Sequence, residues 1–357
     1  MAFQARADLQ NHVIGWLQRG YSSLGDGAGV RFPRSWMAPG ECRVREARIG
    51  ALSPDMRRAR ELANDLHRAF LPTGPGIFGE HAMPEDILPA GLSEGSTEHL
   101  LFVTLTVSVD YMRDAVQLWK ASRAAYADPE TAYLFKPELV CDVGFKKTKA
   151  DLQRTSVSRK PSRDARAWFT ISETLHRKWE GDPQAFIKNC GWHAPTVLKR
   201  LEAGSHAGEL GHQPDFPHLR GRKIGPLWVR MLRDNGGIEM TGLEEVDIPV
   251  DVHVLRATLC SGALGGRYEG SVDAVFKQVR QVWRDAVRGI TRPDGKPMVA
   301  LDVDQALWTL SRLGCSKRGN GSLRPCSRDC PAAPGCVNGV ISISDNRCNV
   351  KTVANSK

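Results

Sequence analysis

The sequence lacks a hydrophobic stretch long enough to cross a lipid bilayer. Its longest apolar run, LLFVTLTVSV, extends from Leu100 to Val109. A membrane-spanning helix needs roughly 20 apolar residues, about twice this length. The N-terminal residues MAFQARADLQNH also lack the apolar core of a secretory signal peptide. We therefore expect a cytoplasmic protein, associated with the nucleoid if its source is prokaryotic, and no membrane partner.

The composition shows none of the bias that marks disordered chains. Of the 357 residues, 41% are hydrophobic and 25% are charged, which is enough to form at least one ordinary core. A chain of this length usually divides into more than one compact part. We therefore expect a globular protein with two lobes.

The sequence has fewer acidic than basic residues. The chain has 49 Lys and Arg against 40 Asp and Glu, which gives a formal charge of +9, and the isoelectric point is about 9.2. A basic protein favours polyanionic partners, because each phosphate that it neutralises releases condensed counterions. Nucleic acid is the first candidate, and the alternative is a modest charge that only maintains solubility.

Strand-rich segments and internal repeats are also lacking, whereas apolar residues recur at helical spacing. The apolar positions of three such runs are Leu101, Leu105, Met112, Val116 and Trp119; Trp168, Ile171 and Leu175; and Val272, Val275, Val279 and Val282. The first run predicts one helix from Glu98 to about residue 127, and the third predicts a helix from Ser271 to Gly289. These patterns indicate an all-α fold.

A basic segment lies between the first two of these runs. Residues 145–163 read FKKTKADLQRTSVSRKPSR and contain seven Lys and Arg against a single acidic residue, Asp151. Such a segment either follows a phosphate backbone or forms a solvated loop.

Four cysteines lie close together in the last third of the chain. Cys315, Cys326, Cys330 and Cys336 have the spacing C-x10-C-x3-C-x5-C, and they follow a helical run with Leu307, Leu310 and Leu313 that Gly314 can cap. In a reducing compartment, cysteines that cluster in this way indicate a metal or iron–sulfur site rather than disulfides.

The identity of the bound group remains open at this level. Both zinc and a [4Fe–4S] cluster accept four thiolates, but zinc sites usually contain two C-x2-C pairs, which this segment lacks. The spacing favours the cluster, with zinc and unligated thiols as alternatives. The other cysteines are scattered and are expected to be small buried side chains; they are Cys42, Cys141, Cys190, Cys260 and Cys348.

This cysteine segment resembles the C-terminal cluster loop of the endonuclease III and MutY branch of the helix-hairpin-helix DNA glycosylases. The usual pattern there is C-x6-C-x2-C-x5-C, so this sequence has four extra residues in the first gap and one in the second. The longer first gap adds Lys317 and Arg318, which could contact phosphates. The resemblance extends from about Glu98 to Cys336.

Two upstream segments occur in the same order as in that superfamily. PHLRGRKIGPLWVRML, which begins at Pro217, resembles the DNA-binding hairpin, and IPVDVHVLRATLCSGAL contains the counterpart of the catalytic aspartate, Asp251. Gly221 and Gly225 would allow close backbone approach, and Arg222 lies between them. The following helix N-terminus would offer N–H groups to a phosphate.

Two alignments of the hairpin are possible. If GRKIG matches the superfamily's GRKTA, Lys223 takes the place of the lysine nucleophile of bifunctional glycosylase-lyases. If KIGPLW matches GVGRKT instead, Leu227 falls there and no lysine nucleophile is present. The step of 28 residues from Lys223 to Asp251 is longer than in endonuclease III. Lys223 is otherwise a phosphate contact or a solvated side chain.

Asp251 also has two possible roles. An aspartate before an apolar helix is a good N-cap on local grounds. The resemblance instead implies that its carboxylate stabilises positive charge on the sugar and orients water. By the same analogy, Asp110 and Tyr111 lie near the position that fills the gap left by an extruded base.

The resemblance implies a two-lobed helical fold with a cluster loop. The expected parts are an N-terminal helical extension (1–97) that packs with the cluster lobe, a six-helix-barrel lobe (98–222), a lobe with Asp251 and the cluster (223–340) and a tail (341–357).

The implied function is that of a DNA glycosylase acting on double-stranded DNA. It would flip out a damaged or modified base and leave an abasic site, either in base-excision repair or in defence against modified foreign DNA. The alternatives are a bifunctional glycosylase and lyase that uses Lys223, and a non-catalytic DNA-binding iron–sulfur protein.

Overall fold

The described part of the protein is mostly helical, as the periodic apolar positions predict. The structure, a computed structural model, describes residues 49–69, 82–317, 330–344 and 347–353. The helices are α1 (Met56–Ala69), α2 (Thr97–Ser108), α3 (Ala115–Ala127), α4 (Pro137–Arg154), α5 (Pro161–Trp179), α6 (Pro183–Asn189), α7 (Ala194–Ala203), α8 (Ile224–Asp234), α9 (Val252–Cys260), α10 (Val272–Val287) and α11 (Asp304–Leu313). Residues 1–48 and 70–81 of the expected extension lie outside the described residues, as do Arg318 and Cys326.

Strands accompany the helices, so the all-α prediction is only approximate. The strands are β1 (Ile49–Pro54), β2 (Ser205–Gly208), β3 (Gly211–Pro214), β4 (Leu264–Ser271), β5 (Asn338–Ser344) and β6 (Arg347–Val353). Four of them form an antiparallel sheet in the order β1-β4-β6-β5, and β2 pairs with β3 in a separate hairpin.

Two features of the sheet prevent its prediction from local sequence patterns. Strand β4 has the sequence LGGRYEGS, and glycine is depleted in strands. The pairing is also non-local, since Leu52 of β1 lies opposite Gly266 of β4. A strand whose partner is more than 200 residues away along the chain gives little local signal of the sheet that it joins.

The described residues belong to one compact unit, Glu46–Lys357, and they bury two hydrophobic cores. The first core runs from Leu100 to Val246 and takes in Val299 and Leu301. The second core begins at Leu52, resumes at Ile248 and includes the cysteine segment and the sheet. Helix α8 therefore packs in the first core, beyond the expected boundary at residue 222. Within the expected tail, residues 341–344 belong to β5 and residues 347–353 to β6.

The first predicted helix is interrupted. Helix α2 ends at Ser108 and α3 begins at Ala115. Asp114 caps α3 by accepting a hydrogen bond from Gln117 N–H at 3.1 Å, and Met112 has a positive φ of 52°, which no α-helix accommodates. The prediction of one continuous helix is therefore wrong at residues 109–114, although both flanking helices are present.

Other helix predictions are confirmed. Ser96 caps α2 by accepting from His99 N–H, Ser271 is the N-cap residue of α10, and Gly314 lies at the C-cap of α11. The four valines expected on the inner face of α10 are all buried. None of the helices in the described ranges is long and apolar enough to cross a membrane.

The basic segment 145–163 is largely helical rather than a loop. Helix α4 continues to Arg154, and α5 begins at Pro161. Asp151 accepts hydrogen bonds from Lys147 Nζ at 2.9 Å and from Arg154 Nε at 3.3 Å, so part of the basic charge is paired within α4. Of the two alternatives for this segment, the solvated loop is limited to residues 155–160 between the helices.

Candidate functional site

The turn between α2 and α3 directs Asp110 inward and Tyr111 outward. Asp110 N–H donates to Val107 O at 3.0 Å, and Tyr111 N–H donates to Val109 O at 2.9 Å. Asp110 is only 6% exposed, whereas Tyr111 is 44% exposed. The interruption of the predicted helix therefore gives these two neighbouring residues different environments.

The loop that precedes α8 is held against this turn. Phe216 and Leu219 are buried in the first core, and His218 Nδ1 lies 3.1 Å from the carbonyl oxygen of Ser108, the last residue of α2. The loop leads to Lys223, which is the N-cap residue of α8. Packing at the base of the loop thus brings Lys223 close to the residue-110 turn.

The two glycines of the predicted hairpin, Gly221 in the loop and Gly225 in the first turn of α8, have different surroundings. A Cβ atom at Gly225 would lie 2.8 Å from the carbonyl oxygen of Leu219 and 3.0 Å from Leu198 Cδ2, whereas at Gly221 the nearest atom would be 3.9 Å away. Close backbone approach therefore requires glycine at position 225 but not at position 221. Gly221 and Arg222 are exposed.

Asp251 is the N-cap residue of α9. Its Oδ1 accepts hydrogen bonds from the backbone N–H groups of His253 at 2.8 Å and Val254 at 2.9 Å. Its second oxygen, Oδ2, accepts no hydrogen bond from the described residues. The capping role is therefore present, and it leaves one carboxylate oxygen available for another partner.

A cavity brings the predicted residues together where the two cores meet. Its empty space, including the open mouth, is about 420 Å³. The residues that line it are Met83, Pro84, Glu85, Asp110, Ala115, Trp119, Lys223, Leu227, Arg230, Met231, Pro249, Asp251, Asp304 and Trp308. Asp110, Lys223 and Asp251 come from three separate segments of the chain and share this one cavity.

Lys223 lies within the field of several carboxylates. Its Nζ is 3.8 Å from Asp110 Oδ2, and its side chain is 31% exposed. Burial alone would lower the pKa of Lys223, but the charges of Asp110, Asp251 and Asp304 raise that pKa above its ordinary value. The amine of Lys223 is therefore held in its protonated form. Burial has the opposite effect on the nearby carboxyl group: it raises the pKa of Asp110, and the charge of Lys223 acts against this increase.

Three of the ionisable residues at the cavity were not predicted. Arg230 is completely buried and donates from Nη2 to Glu85 Oε1, while its Nε lies 2.9 Å from Asp304 Oδ2. Burial raises the pKa of Asp304 to about 7, in spite of Arg230.

These residues come from distant parts of the sequence, and their pairing depends on the fold. Two single-sequence signals could have drawn attention to them. One is the charged residue inside the apolar run PLWVRML, and the other is the i,i+4 spacing of Asp304 and Trp308 on α11.

Several basic and aromatic side chains lie on the surface near the residue-110 turn. Lys160 Nζ lies 5.0 Å and Arg163 Cζ 4.8 Å from the centre of the Tyr111 ring. Met112, at the tip of the turn, is 72% exposed. Cations stacked on an exposed aromatic ring form a surface that suits an anionic polymer.

The three described cysteines of the cysteine segment are buried, and two of them, Cys315 and Cys330, lie in the second core together with Cys260. Cys315 follows α11 directly in a short turn with Lys317, which is exposed. Cys330 and Cys336 belong to the segment that leads into β5. Cys326 lies outside the described residues, so the structure provides three of the four predicted ligands.

Hydrogen bonds connect the segment from Cys330 to Val337 to neighbouring elements. Arg58 of α1 donates from Nε to Ser261 O at 3.2 Å and from Nη2 to Ala332 O at 3.0 Å. Val337 N–H donates to Cys260 O at 2.9 Å. Within the described ranges, no group of three or more His, Cys, Asp or Glu side chains is arranged to hold a metal ion.

No protein-family model matches the chain, and no curated protein matches it.

Proposed function

We propose that the protein is a DNA glycosylase of the helix-hairpin-helix superfamily, which flips a base out of double-stranded DNA and hydrolyses its N-glycosidic bond. The observation that carries this proposal is the position of Asp251, whose Oδ2 is free of hydrogen bonds from the described residues at the cavity that it shares with Asp110 and Lys223. The lobe around the first core would correspond to the six-helix barrel, and residues 217–223 to the hairpin.

Asp251 would act on the sugar. Cleavage of the N-glycosidic bond develops positive charge at C1′, and a nearby carboxylate stabilises that charge and orients the attacking water. Because the backbone N–H groups of His253 and Val254 bind Oδ1, they fix the side chain while Oδ2 is left for this task. The cap thereby positions the proposed catalytic group.

Lys223 is proposed as a cation of the site rather than as a nucleophile. A lysine that forms a Schiff base must lose its proton, and nucleophilic lysines therefore have a lowered pKa. Here Asp110, Asp251 and Asp304 raise the pKa of Lys223 against the opposing effect of burial. The protein would therefore be monofunctional and leave intact abasic strands.

DNA would bind along the surface that carries the mouth of the cavity. Gly221 and Arg222 are exposed at the start of α8, and helix N-termini attract phosphates. Tyr111, with Lys160 and Arg163 beside its ring, would contact the DNA near the extruded base. Lys317, exposed beside the cysteine segment, would provide a further phosphate contact.

We propose a [4Fe–4S] cluster at the cysteine segment, with zinc as the alternative. Cys315, Cys330 and Cys336 supply buried thiol groups of the type that both groups accept, and Cys326 would complete the set. Such a cluster would stabilise the fold of the segment by crosslinking it. The contacts of Arg58 with Ser261 and Ala332 and of Val337 with Cys260 would hold the segment against α1 and α9.

The experiment that tests this function compares wild-type protein with Asp251→Asn. An amide keeps an oxygen for the cap but removes the charge, so the variant should bind DNA and melt like wild type while base release falls at least about 100-fold. Asp65→Asn, which changes an exposed carboxylate on α1, is the matched control and should leave release unchanged.

Two results would count against the proposal. Full base release by Asp251→Asn would remove Asp251 from the mechanism. DNA binding without any base release by the wild type would favour the non-catalytic iron–sulfur protein instead.

A further inference from the structure

Arg58 of α1 is a buried cation from outside the part of the chain that resembles the DNA glycosylases. That resemblance begins at about Glu98, whereas Arg58 belongs to the expected N-terminal extension. The residue is only 9% exposed. Because the guanidinium group of arginine does not lose its proton in proteins, its charge persists in the interior. A buried charge is costly unless an opposite charge lies near it.

The guanidinium group of Arg58 makes no ion pair within the described residues. Nε donates to Ser261 O at 3.2 Å and Nη2 donates to Ala332 O at 3.0 Å, and both acceptors are neutral backbone carbonyl groups. The carboxylate of Asp55 accepts from the backbone N–H of Arg58 at 2.9 Å instead. The neighbouring Arg57, by contrast, is exposed and pairs with a glutamate of α1. The charge of Arg58 is therefore hydrogen-bonded but not balanced by a carboxylate.

The backbone that surrounds this guanidinium group is close in sequence to three buried cysteines. A Cβ atom at Gly335 would lie 1.9 Å from Arg58 Nε, so the group packs directly against that glycine as well as against its two hydrogen-bond acceptors. Each of the three contacted residues is within two positions of a buried cysteine. The pairs are Ser261 with Cys260, Ala332 with Cys330 and Gly335 with Cys336.

The missing negative charge is one that a metal–thiolate group would supply. Cysteine binds metals as the thiolate, whereas a neutral thiol carries no charge to offset a cation. Four thiolates outweigh the positive charge of a zinc ion, and they also outweigh that of a [4Fe–4S] core in its usual state. The zinc and iron–sulfur alternatives for the cysteine segment are therefore both anionic.

We infer that Arg58 is the counter-ion of the metal–thiolate group proposed for the cysteine segment. Its charge strengthens the retention of the metal, and its two hydrogen bonds hold the charge in place. If the group is an iron–sulfur cluster, Arg58 also raises the reduction potential, because an added electron increases the negative charge that the cation offsets. The inference rests on the proposed metal group and does not depend on base release.

Two substitutions separate the charge of Arg58 from its hydrogen bonds. Arg58→Gln retains an N–H donor but removes the charge, whereas Arg58→Lys retains the charge and a donor. Arg57→Gln removes an exposed cation one position away on α1 and is the matched control. Gly335→Ala provides a variant that leaves Arg58 unchanged, because its new Cβ would displace the guanidinium group from the backbone at position 335.

The test uses the full chain with its metal, purified without oxygen. A chelator should remove the metal at least about tenfold faster from Arg58→Gln than from wild type, whereas Arg58→Lys and Arg57→Gln should stay within about threefold of wild type. If the metal is iron, a reductive titration should show that Arg58→Gln lowers the equilibrium constant for one-electron reduction about tenfold, or about 59 mV. Gly335→Ala should change both quantities in the same direction, which keeps the test available if Arg58→Gln does not fold.

The outcomes separate the metal group from the role of Arg58. Wild-type protein with neither iron nor zinc would refute the proposed group itself. With metal bound, equal rates of removal from wild type and Arg58→Gln would overturn the inference. Equally accelerated removal from Arg58→Gln and Arg58→Lys would also overturn it, because the shape of the side chain rather than its charge would then be responsible.

Discussion

Gly225, the second residue of α8, provides a direct test of how this helix packs against the loop that precedes it. In Gly225→Ala the new Cβ would lie 2.8 Å from Leu219 O and 3.0 Å from Leu198 Cδ2. The first contact is with backbone, which cannot move without shifting the loop. Such overpacking costs about 1–3 kcal/mol, and the higher helix propensity of alanine recovers up to about 1 kcal/mol. The net loss in the free energy of unfolding should be about 1 kcal/mol.

Gly221→Ala is the matched control for this prediction. Gly221 lies in the loop just before α8, but its Cβ would meet no atom closer than 3.9 Å, so the variant should stay within about 0.5 kcal/mol of wild type. Urea unfolding followed by circular dichroism gives both values. If the loop is the DNA-binding hairpin, Gly225→Ala should also weaken DNA binding on all sequences to the same degree. Equal stability of the two variants would refute the packing described for Gly225.

Three further predictions concern the mechanism, the cysteine segment and DNA binding. Borohydride should trap no covalent adduct with DNA, and Lys223→Ala should still release base, because the carboxylates keep the amine protonated; a strong adduct that depends on Lys223 would instead establish lyase chemistry. Protein purified without oxygen should be brown and contain about four irons per chain, which Cys330→Ser should lose and the control Cys348→Ser should retain; stoichiometric zinc without labile sulfide would exclude the cluster. DNA affinity should fall steeply with salt, and Arg222→Ala should reduce the slope of log affinity against log salt by about 1, whereas Arg57→Ala on α1 should not change it.

Helices with a strong apolar period could be predicted from the sequence. The runs around Trp168, Val275 and Leu310 form α5, α10 and α11, because one face of each helix packs into a core. Periodicity did not reveal the break at residues 109–114, since apolar residues continue on both sides of it. The helix is interrupted because Asp114 caps α3 and Met112 has a positive φ. Neither of these local features can be predicted from the pattern of hydrophobic residues.

The candidate site could be predicted only in part. Asp110, Lys223 and Asp251 were identified from motifs, and all three line one cavity. Glu85, Arg230 and Asp304 could not be paired from the sequence, because Glu85 and Arg230 are joined across 145 residues. A buried ion pair between distant segments follows from tertiary packing, and no local pattern specifies it.

The sheet illustrates the same limit for the fold. Strand β1 pairs with β4, and β4 pairs in turn with β6 near the end of the described residues. Strands β1 and β4 pair with partners that are remote along the chain, whereas β5 and β6, which are neighbours in the chain, pair with each other. The chain was therefore predicted to be all-α, whereas the second core is covered in part by an antiparallel sheet.

The most direct test of the proposed glycosylase activity is to incubate the wild-type protein with genomic DNA, including DNA treated with a methylating agent, and to identify the released bases by mass spectrometry. The proposal predicts a free base that accumulates with time, from strands that remain intact until alkali cleaves them at the abasic sites. Absence of any free base, although the protein binds the DNA, would contradict it.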